Sequence, residues 1–360
     1  MTKVLVVDDS ALLRRVLSEI LTEAGFEVAI ARDGVEALAK LDEVRPDVVT
    51  LDVQMPRMNG LECLEQIMAR RPCPVVMVSS LTAEGAEATL SALELGAVDF
   101  LPKPDGVVSL AIDELAPVLI EKVTAAATAK VGRGSRLLER LRARREAARA
   151  PTKTGARPRK QGAAPAGDPP EGLVLVGTST GGPAALEALL GDIAPDFPWP
   201  ILVAQHMPAS FTASLAARLD GLCPLSVVEA AGPTPLRTGG VYIARGGADM
   251  VVSRRAAGLV ALPAPADPAH RWHPSVDRLV ASAMAHVAPD RLVGVLMTGM
   301  GDDGARTMAE LHRLGGRTVA ESEETAVVWG MPGALVRLGG ASAVEPVDAI
   351  AGRLSMMLAR

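Results

Sequence analysis

Short apolar runs, most of them leading into a polar residue, recur through the first part of the chain. Lys3-Val4-Leu5-Val6-Val7, Val28-Ala29-Ile30, Val48-Val49-Thr50-Leu51, Val75-Val76-Met77-Val78 and Asp99-Phe100-Leu101 all have strand length. Ala11 to Ala24 repeats its apolar positions at helical spacing and stops at Gly25, and Val35 to Leu41 reads as a second helix. Strand and helix signals therefore alternate, which predicts a five-stranded, doubly wound α/β domain over residues 1–105.

The pattern then changes. Asp113 to about Arg149 reads as helix, rich in Ala, Leu and Arg, with breaks at Gly132 and Gly134. Pro151 to Pro170 has no hydrophobic period and reads as linker, so residues 106–171 are expected to join two domains. From residue 172 to 360 buried strands return at Leu173–Val176, Ile201–Ala204, Val241–Ile243 and Leu292–Met297. Gly- and Pro-rich turns separate them, and Met250 to Leu262 fits a hairpin. This half is expected to be a second doubly wound, mostly parallel α/β domain.

Composition adjusts this picture in three ways. Aromatic residues make up only 2% of the 360, so Val, Leu, Ala and Met must fill the cores. Three cysteines without metal-ligand spacing fit reduced thiols and a cytoplasmic location, and no run is long enough to insert into a membrane. Net charge is −5, yet residues 130–160 carry twelve Lys/Arg against two Glu, a local +10. That stretch lacks aromatics and any DNA-reading motif, so it reads as a solvated basic segment and nucleic acid is disfavoured as a partner.

Candidate chemistry sits where strands end. In the first domain these ends offer Asp8 and Asp9, Asp52, Ser79 and Lys103. In an open parallel sheet they converge on one crevice at the switch in strand order. Clustered carboxylates repel unless a divalent cation lies among them, which implies Mg²⁺ held by Asp8, Asp9, Asp52 and the backbone carbonyl of Gln54. Asp52 can then accept a phosphoryl group whose oxygens Ser79 and Lys103 hold. Taken singly, each residue has a plainer role: Asp8-Asp9 as a helix cap, Lys103 as a surface pair.

The segments Val7-Asp8-Asp9, Leu51-Asp52-Val53-Gln54-Met55-Pro56, Gly60, Ser79 and Lys103-Pro104 resemble a response-regulator receiver domain. The resemblance implies phosphorylation of Asp52 by a histidine kinase. It also implies that Ser79 and Phe100 relay the event to the opposite face.

In the second domain the apolar run Leu173–Val176 enters Gly177-Thr178-Ser179-Thr180-Gly181-Gly182, a turn able to expose a nucleophile or cradle an anion. Pro183 stands where a phosphate loop needs Lys, and the dinucleotide spacing is absent. Two other strands run into Gln205-His206-Met207-Pro208 and Thr298-Gly299-Met300-Gly301-Asp302-Asp303-Gly304. Ser179, His206 and Asp303 are the parts of a hydrolytic triad, with backbone N–H groups near Met300 or at the following helix as an oxyanion hole. The chain order Ser, His, Asp disfavours the α/β-hydrolase family.

These segments, with Pro274-Ser275-Val276-Asp277 and Val328-Trp329-Gly330-Met331-Pro332, resemble the chemotaxis protein-glutamate methylesterase (CheB) domain. The resemblance implies Ser179, His206 and Asp303 as triad and the Met300 backbone in the oxyanion hole. It implies methyl-esterified glutamates on chemoreceptor cytoplasmic helices as substrate, methanol as product, and deamidation of receptor glutamines. The chain departs from the family at Asp302, where Asn is usual, and at Arg271-Trp272-His273, where a His-Arg order is usual. His273 is assigned no role.

Overall fold

The computed structural model describes residues 1–103, 108–129, 165 and 167–359. The chain divides into two compact units, with the break after Leu138.

The first unit is a parallel sheet of five strands: β1 (Lys3–Val7), β2 (Glu27–Ala31), β3 (Val48–Asp52), β4 (Val75–Ser79) and β5 (Asp99–Pro102). Their order in space is β2-β1-β3-β4-β5. Val4–Val7 pair with Val28–Ala31 on one side and with Val48–Leu51 on the other. Both β3 and β4 are buried along their whole length, as expected for central strands covered on two faces. The covering helices are α1 (Ala11–Glu23), α2 (Gly34–Val44), α3 (Gly60–Arg70), α4 (Ala83–Leu95) and α5 (Val108–Thr128). Side chains of Ser10, Asp33, Asn59 and Thr82 cap the first four by accepting backbone N–H bonds. The cap of α1 is thus Ser10, and the Asp8-Asp9 pair is left for other work.

One boundary moves. Helix α5 starts before the expected Asp113 and packs on β3, β4, β5 and α1, burying Leu119, Val123 and Ala126. Its apolar stripe makes it part of the first unit, although the sequence reading placed it in the linker from 106. The glycine breaks and the basic stretch lie outside the described residues. At the far end of the linker, Asp168 already exchanges hydrogen bonds with Thr238 of the second unit.

The second unit is built on seven parallel strands: β6 (Leu173–Thr178), β7 (Ile201–Gln205), β8 (Ser226–Ala230), β10 (Gly240–Ala244), β13 (Leu292–Leu296), β14 (Arg317–Glu321) and β15 (Ala343–Glu345). They lie in the order β15-β14-β13-β6-β7-β10-β8. From β6 the chain steps to β7 on one side, and from β13 it steps to β14 on the other, so the switch point lies between β6 and β13. Short β9 (Thr234–Pro235) and the hairpin β11 (Ala248–Arg255) and β12 (Gly258–Pro265) form a separate antiparallel sheet. That hairpin is the one expected over Met250 to Leu262. Helices α6 (Gly182–Asp192), α7 (Ala209–Asp220), α8 (Val276–Met284), α9 (Ala305–Arg313), α10 (Met331–Arg337) and α11 (Val347–Leu358) complete the unit. Aliphatic and methionine side chains fill its core, with Tyr242 and Phe211 the largest fully buried groups.

Among the described residues no helix is long and apolar enough to cross a membrane. Cys63, Cys73 and Cys223 are buried and outside any disulfide, and burial pushes the Cys63 and Cys73 thiols up to about 12.

Candidate functional site

Ser179 leaves the carboxyl end of β6, the strand beside the switch point. Its N–H donates to the Thr298 carbonyl at 2.9 Å. Its own carbonyl accepts from Gly182 N at 2.8 Å and from Gln205 Nε2 at 3.0 Å. Gly181 closes the turn at φ 76°, a left-handed conformation that suits glycine. A Cβ on Gly299 would fall 2.8 Å from Ser179 Cβ, so the turns after β6 and β13 touch because that position has no side chain.

His206 leaves the end of the neighbouring β7, its N–H bonded to the Thr178 carbonyl at 3.1 Å. Gln205 donates to the carbonyls of both Ser179 and His206 at 3.0 Å, tying one turn to the other. Nε2 of His206 lies 2.8 Å from Asp303 Oδ2. Nδ1 is buried and makes no hydrogen bond among the described residues. The imidazole lies face to face with Trp272, ring centroids 5.5 Å apart, and the Arg271 guanidinium sits 5.0 Å from the same indole.

Asp303 rests on the N-terminus of α8. It accepts from Val276 N at 2.7 Å, Asp277 N at 3.0 Å and Ser275 Oγ at 3.2 Å. Free N–H groups at a helix start favour an anion. Burial acts to raise the Asp303 carboxyl, but the bond to His206, its charge and these N–H donors outweigh it and hold the group below the usual range. Neighbouring Asp277 is pushed up, first by burial and then by the Asp303 charge, while Thr307 bonds it at 2.6 Å. Met300 is buried in the turn beside Ser179, and Asp302 faces solvent 3.9 Å from Arg306. A buried Asp249 fastens the segment that carries Trp272. It accepts from Asp267 N, His273 Nδ1, Ser275 N and Arg278.

Strand ends thus bring together Ser179, His206 and Asp303. The helix start that cradles Asp303, the Gln205 tie and the Trp272 stack were not foreseen from sequence. Ser275 before Val276-Asp277 was a readable N-cap signal. Trp272 lies in an irregular segment where periodicity is silent.

In the first unit Asp8 and Asp9 follow β1 and Asp52 ends β3, again at the switch in strand order. Oxygens of the three carboxylates lie within 4.8 Å of one another. Lys103 Nζ stands 3.2 Å from Asp8 and 2.8 Å from Asp52. Burial raises the Asp52 carboxyl to about 6, with the Asp8 charge adding, and burial raises Asp8 too. One ammonium does not offset three carboxylates, and this donor set of hard oxygens fits a divalent cation. Gln54 touches the site through its N–H, which donates to Asp52 Oδ1 at 3.2 Å. Ser79 is near in the fold, but its hydroxyl turns away to the Gly85 carbonyl at 3.1 Å.

Comparison with known proteins agrees with this architecture. Residues 174–354 match the CheB methylesterase family and residues 4–111 match the response regulator receiver domain. The protein-glutamate methylesterase/protein-glutamine glutaminase 3 of Rhodospirillum rubrum is 53% identical over 100% of this chain and 97% of its own. A protein of the same description, numbered 2, from Rhodopseudomonas palustris is 54% identical over 98% of this chain and 96% of its own. The crystal structure of the Thermotoga maritima CheB methylesterase catalytic domain aligns with a TM-score of 0.50 at 34% identity, covering 52% of this chain and 98% of that one. With the Ser179–His206–Asp303 arrangement in one half and the carboxylate crevice in the other, the chain belongs to the CheB methylesterase family and carries a response regulator receiver domain at its N-terminal end.

Proposed function

We infer that the chain is a phosphorylation-regulated protein-glutamate methylesterase and protein-glutamine glutaminase, and that Ser179, His206 and Asp303 carry the reaction. One observation supports this most: His206 is bonded through Nε2 to a carboxylate held on a helix N-terminus, its Nδ1 makes no hydrogen bond among the described residues, and Gln205 ties its turn to that of Ser179.

Ser179 Oγ attacks the side-chain carbonyl carbon of a glutamyl methyl ester as His206 Nδ1 takes the hydroxyl proton. Asp303 holds the ring and stabilises the imidazolium. The oxyanion forms against backbone N–H groups around Met300. Collapse breaks the bond to the methoxy group, and the imidazolium returns its proton to give methanol. The glutamyl chain is then esterified to Ser179. Water attacks that ester with His206 again as base, releasing glutamate and the free serine. With a glutamine substrate the leaving group is ammonia.

In the receiver, Asp52 accepts the phosphoryl group from a histidine kinase. Asp8, Asp9 and Asp52 would hold Mg²⁺, with the Gln54 carbonyl as a further ligand, and the ion would offset charge on the transferring group. Lys103 neutralises the phosphoryl oxygens, and Ser79 reaches them by rotating away from Gly85. The substrates are methylated cytoplasmic helices of chemoreceptors, which places the enzyme in the cytoplasm.

The deciding measurement is methanol release from a methylated receptor fragment, with and without a phosphodonor. Release should rise on phosphorylation and vanish in Ser179→Ala while Asp52 still labels. Full activity of that variant would sink the assignment.

A further inference from the structure

Glu321, at the end of β14, is a buried carboxylate that the reaction scheme leaves unused. Its Oε2 accepts the Thr298 N–H at 2.8 Å and its Oε1 accepts the Thr325 hydroxyl at 2.9 Å. Its backbone carbonyl accepts the Trp329 indole N–H at 2.9 Å. The residue is therefore bonded to two loops that meet at the active site.

Thr298 is the centre of that meeting. Its carbonyl accepts from Ser179 N at 2.9 Å and from Thr178 Oγ1 at 3.1 Å. Its hydroxyl donates to the Thr180 carbonyl at 2.8 Å and accepts from Val328 N at 3.1 Å. One residue further on, Gly299 packs against Ser179, and its carbonyl accepts from Met331 N at 2.9 Å. Thr298 is thus bonded to the nucleophile turn on one side and to the Val328–Met331 segment on the other. Its N–H, the remaining backbone group, is held by Glu321 alone among the described residues.

We propose that Glu321 is a positioning residue for the esterase reaction: by holding the Thr298 N–H it sets the backbone that aligns both Ser179 and the turn at Met300. The inference rests on the triad reading given above and deepens it. A carboxylate at this position serves better than an apolar side chain of equal size. The latter would leave a buried N–H without a partner, and the loop would relax to satisfy it. A displacement of the nucleophile or the oxyanion donors by about 1 Å costs about 100-fold in rate. Burial also raises the Glu321 carboxyl to about 7, so holding this group inside the fold carries a cost that an idle residue would not need to impose.

The test uses the full-length protein in three variants: Glu321→Leu, Glu321→Gln and Thr325→Val. Two rates are read, methanol release from a methylated receptor fragment and labelling of Ser179 by a fluorophosphonate. Glu321→Leu should lower kcat by about 10- to 100-fold with KM within about twofold of wild type, and should slow labelling in parallel. Glu321→Gln, whose amide oxygen still accepts the Thr298 N–H, should recover most of that loss. Thr325→Val, which frees one end of the carboxylate, should lower kcat several-fold. Wild-type kcat in a folded Glu321→Leu variant overturns the proposal, as does a loss carried by KM. Should that variant not fold, wild-type kcat and labelling in Thr325→Val overturn it alone. Absence of methanol release from wild type with Ser179 still labelling would refute the substrate reading, and the labelling rates would go on to decide the role of Glu321.

Discussion

The imidazole of His206 lies parallel to the indole of Trp272, their planes 16° apart at a centroid separation of 5.5 Å. A hydrogen bond from Nε2 to Asp303 fixes one point of the ring but not its plane. The stack fixes the plane, and together they determine where Nδ1 points. Replacing Trp272 with Ala should lower kcat/KM for methanol release about tenfold, whereas Trp272→Phe should stay within about threefold of wild type. Equal activity of the Ala variant and wild type would show that the Asp303 bond alone orients the base.

Asp303 receives four donors: His206 Nε2, Val276 N, Asp277 N and Ser275 Oγ. An amide cannot accept all four, because one of its two ends is itself a donor. Asp303→Asn is therefore expected to turn the His206 ring or reverse its tautomer. Methanol release should fall about 10³- to 10⁴-fold, while fluorescence and circular dichroism stay native. A loss under tenfold would remove Asp303 from the triad.

Much of this was legible in the chain because both domains are parallel sheets. Buried strands are written as continuous apolar runs, and where a polar residue follows such a run it marks the crevice where chemistry collects. That rule places Asp8, Asp52 and Lys103 in one crevice and Ser179, His206 and Asp303 in the other. It fails where position depends on packing rather than period. Trp272 reaches His206 through an irregular segment fastened to Asp249, a residue distant in sequence. Helix α5 reads as linker in the sequence because its partner surface is shared among β3, β4, β5 and α1, earlier in the chain. Ser79 shows a third limit: its place at a strand end was readable, but its bond to Gly85 is a rotamer choice.

Asp249 fixes the Trp272 segment with buried, charge-assisted bonds from His273 and Arg278 and backbone bonds from Asp267 and Ser275. Asp249→Leu leaves those donors unpaired and should cost about 3 kcal/mol of stability in the catalytic unit. All three tryptophans, Trp199, Trp272 and Trp329, lie in that unit, so its unfolding can be followed by their fluorescence in the full-length protein. An unchanged denaturation midpoint would mean that the segment is held by other contacts.

The receiver crevice predicts a metal requirement. Asp8, Asp9 and Asp52 converge on a space where, among the described residues, Lys103 is the cation paired with the Asp8 and Asp52 carboxylates. Labelling of Asp52 by a small acyl phosphate should drop at least about 100-fold when Mg²⁺ is chelated, and Asp52→Asn should not label at all. Labelling that persists in chelator would refute the metal assignment. Labelling of the Asn variant would move the acceptor elsewhere.

Glu321 makes a pH signature separable from activity. Its carboxyl is raised from the ordinary 4.5 to about 7 by burial, so the folded state holds a proton that the unfolded chain has released. The contribution of this group to stability is therefore greatest below pH 4.5, declines as pH rises, and levels off above about 7. Over that window the decline is at most about 3 kcal/mol, at 1.36 kcal/mol per pKa unit. Glutamine does not titrate and its stability carries no such decline. Urea unfolding of the full-length protein, followed by tryptophan fluorescence at pH 5 and pH 8, should therefore show Glu321→Gln gaining on wild type as pH rises. A difference between the two proteins that is the same at both pH values would mean that Glu321 ionises in the fold as freely as in water.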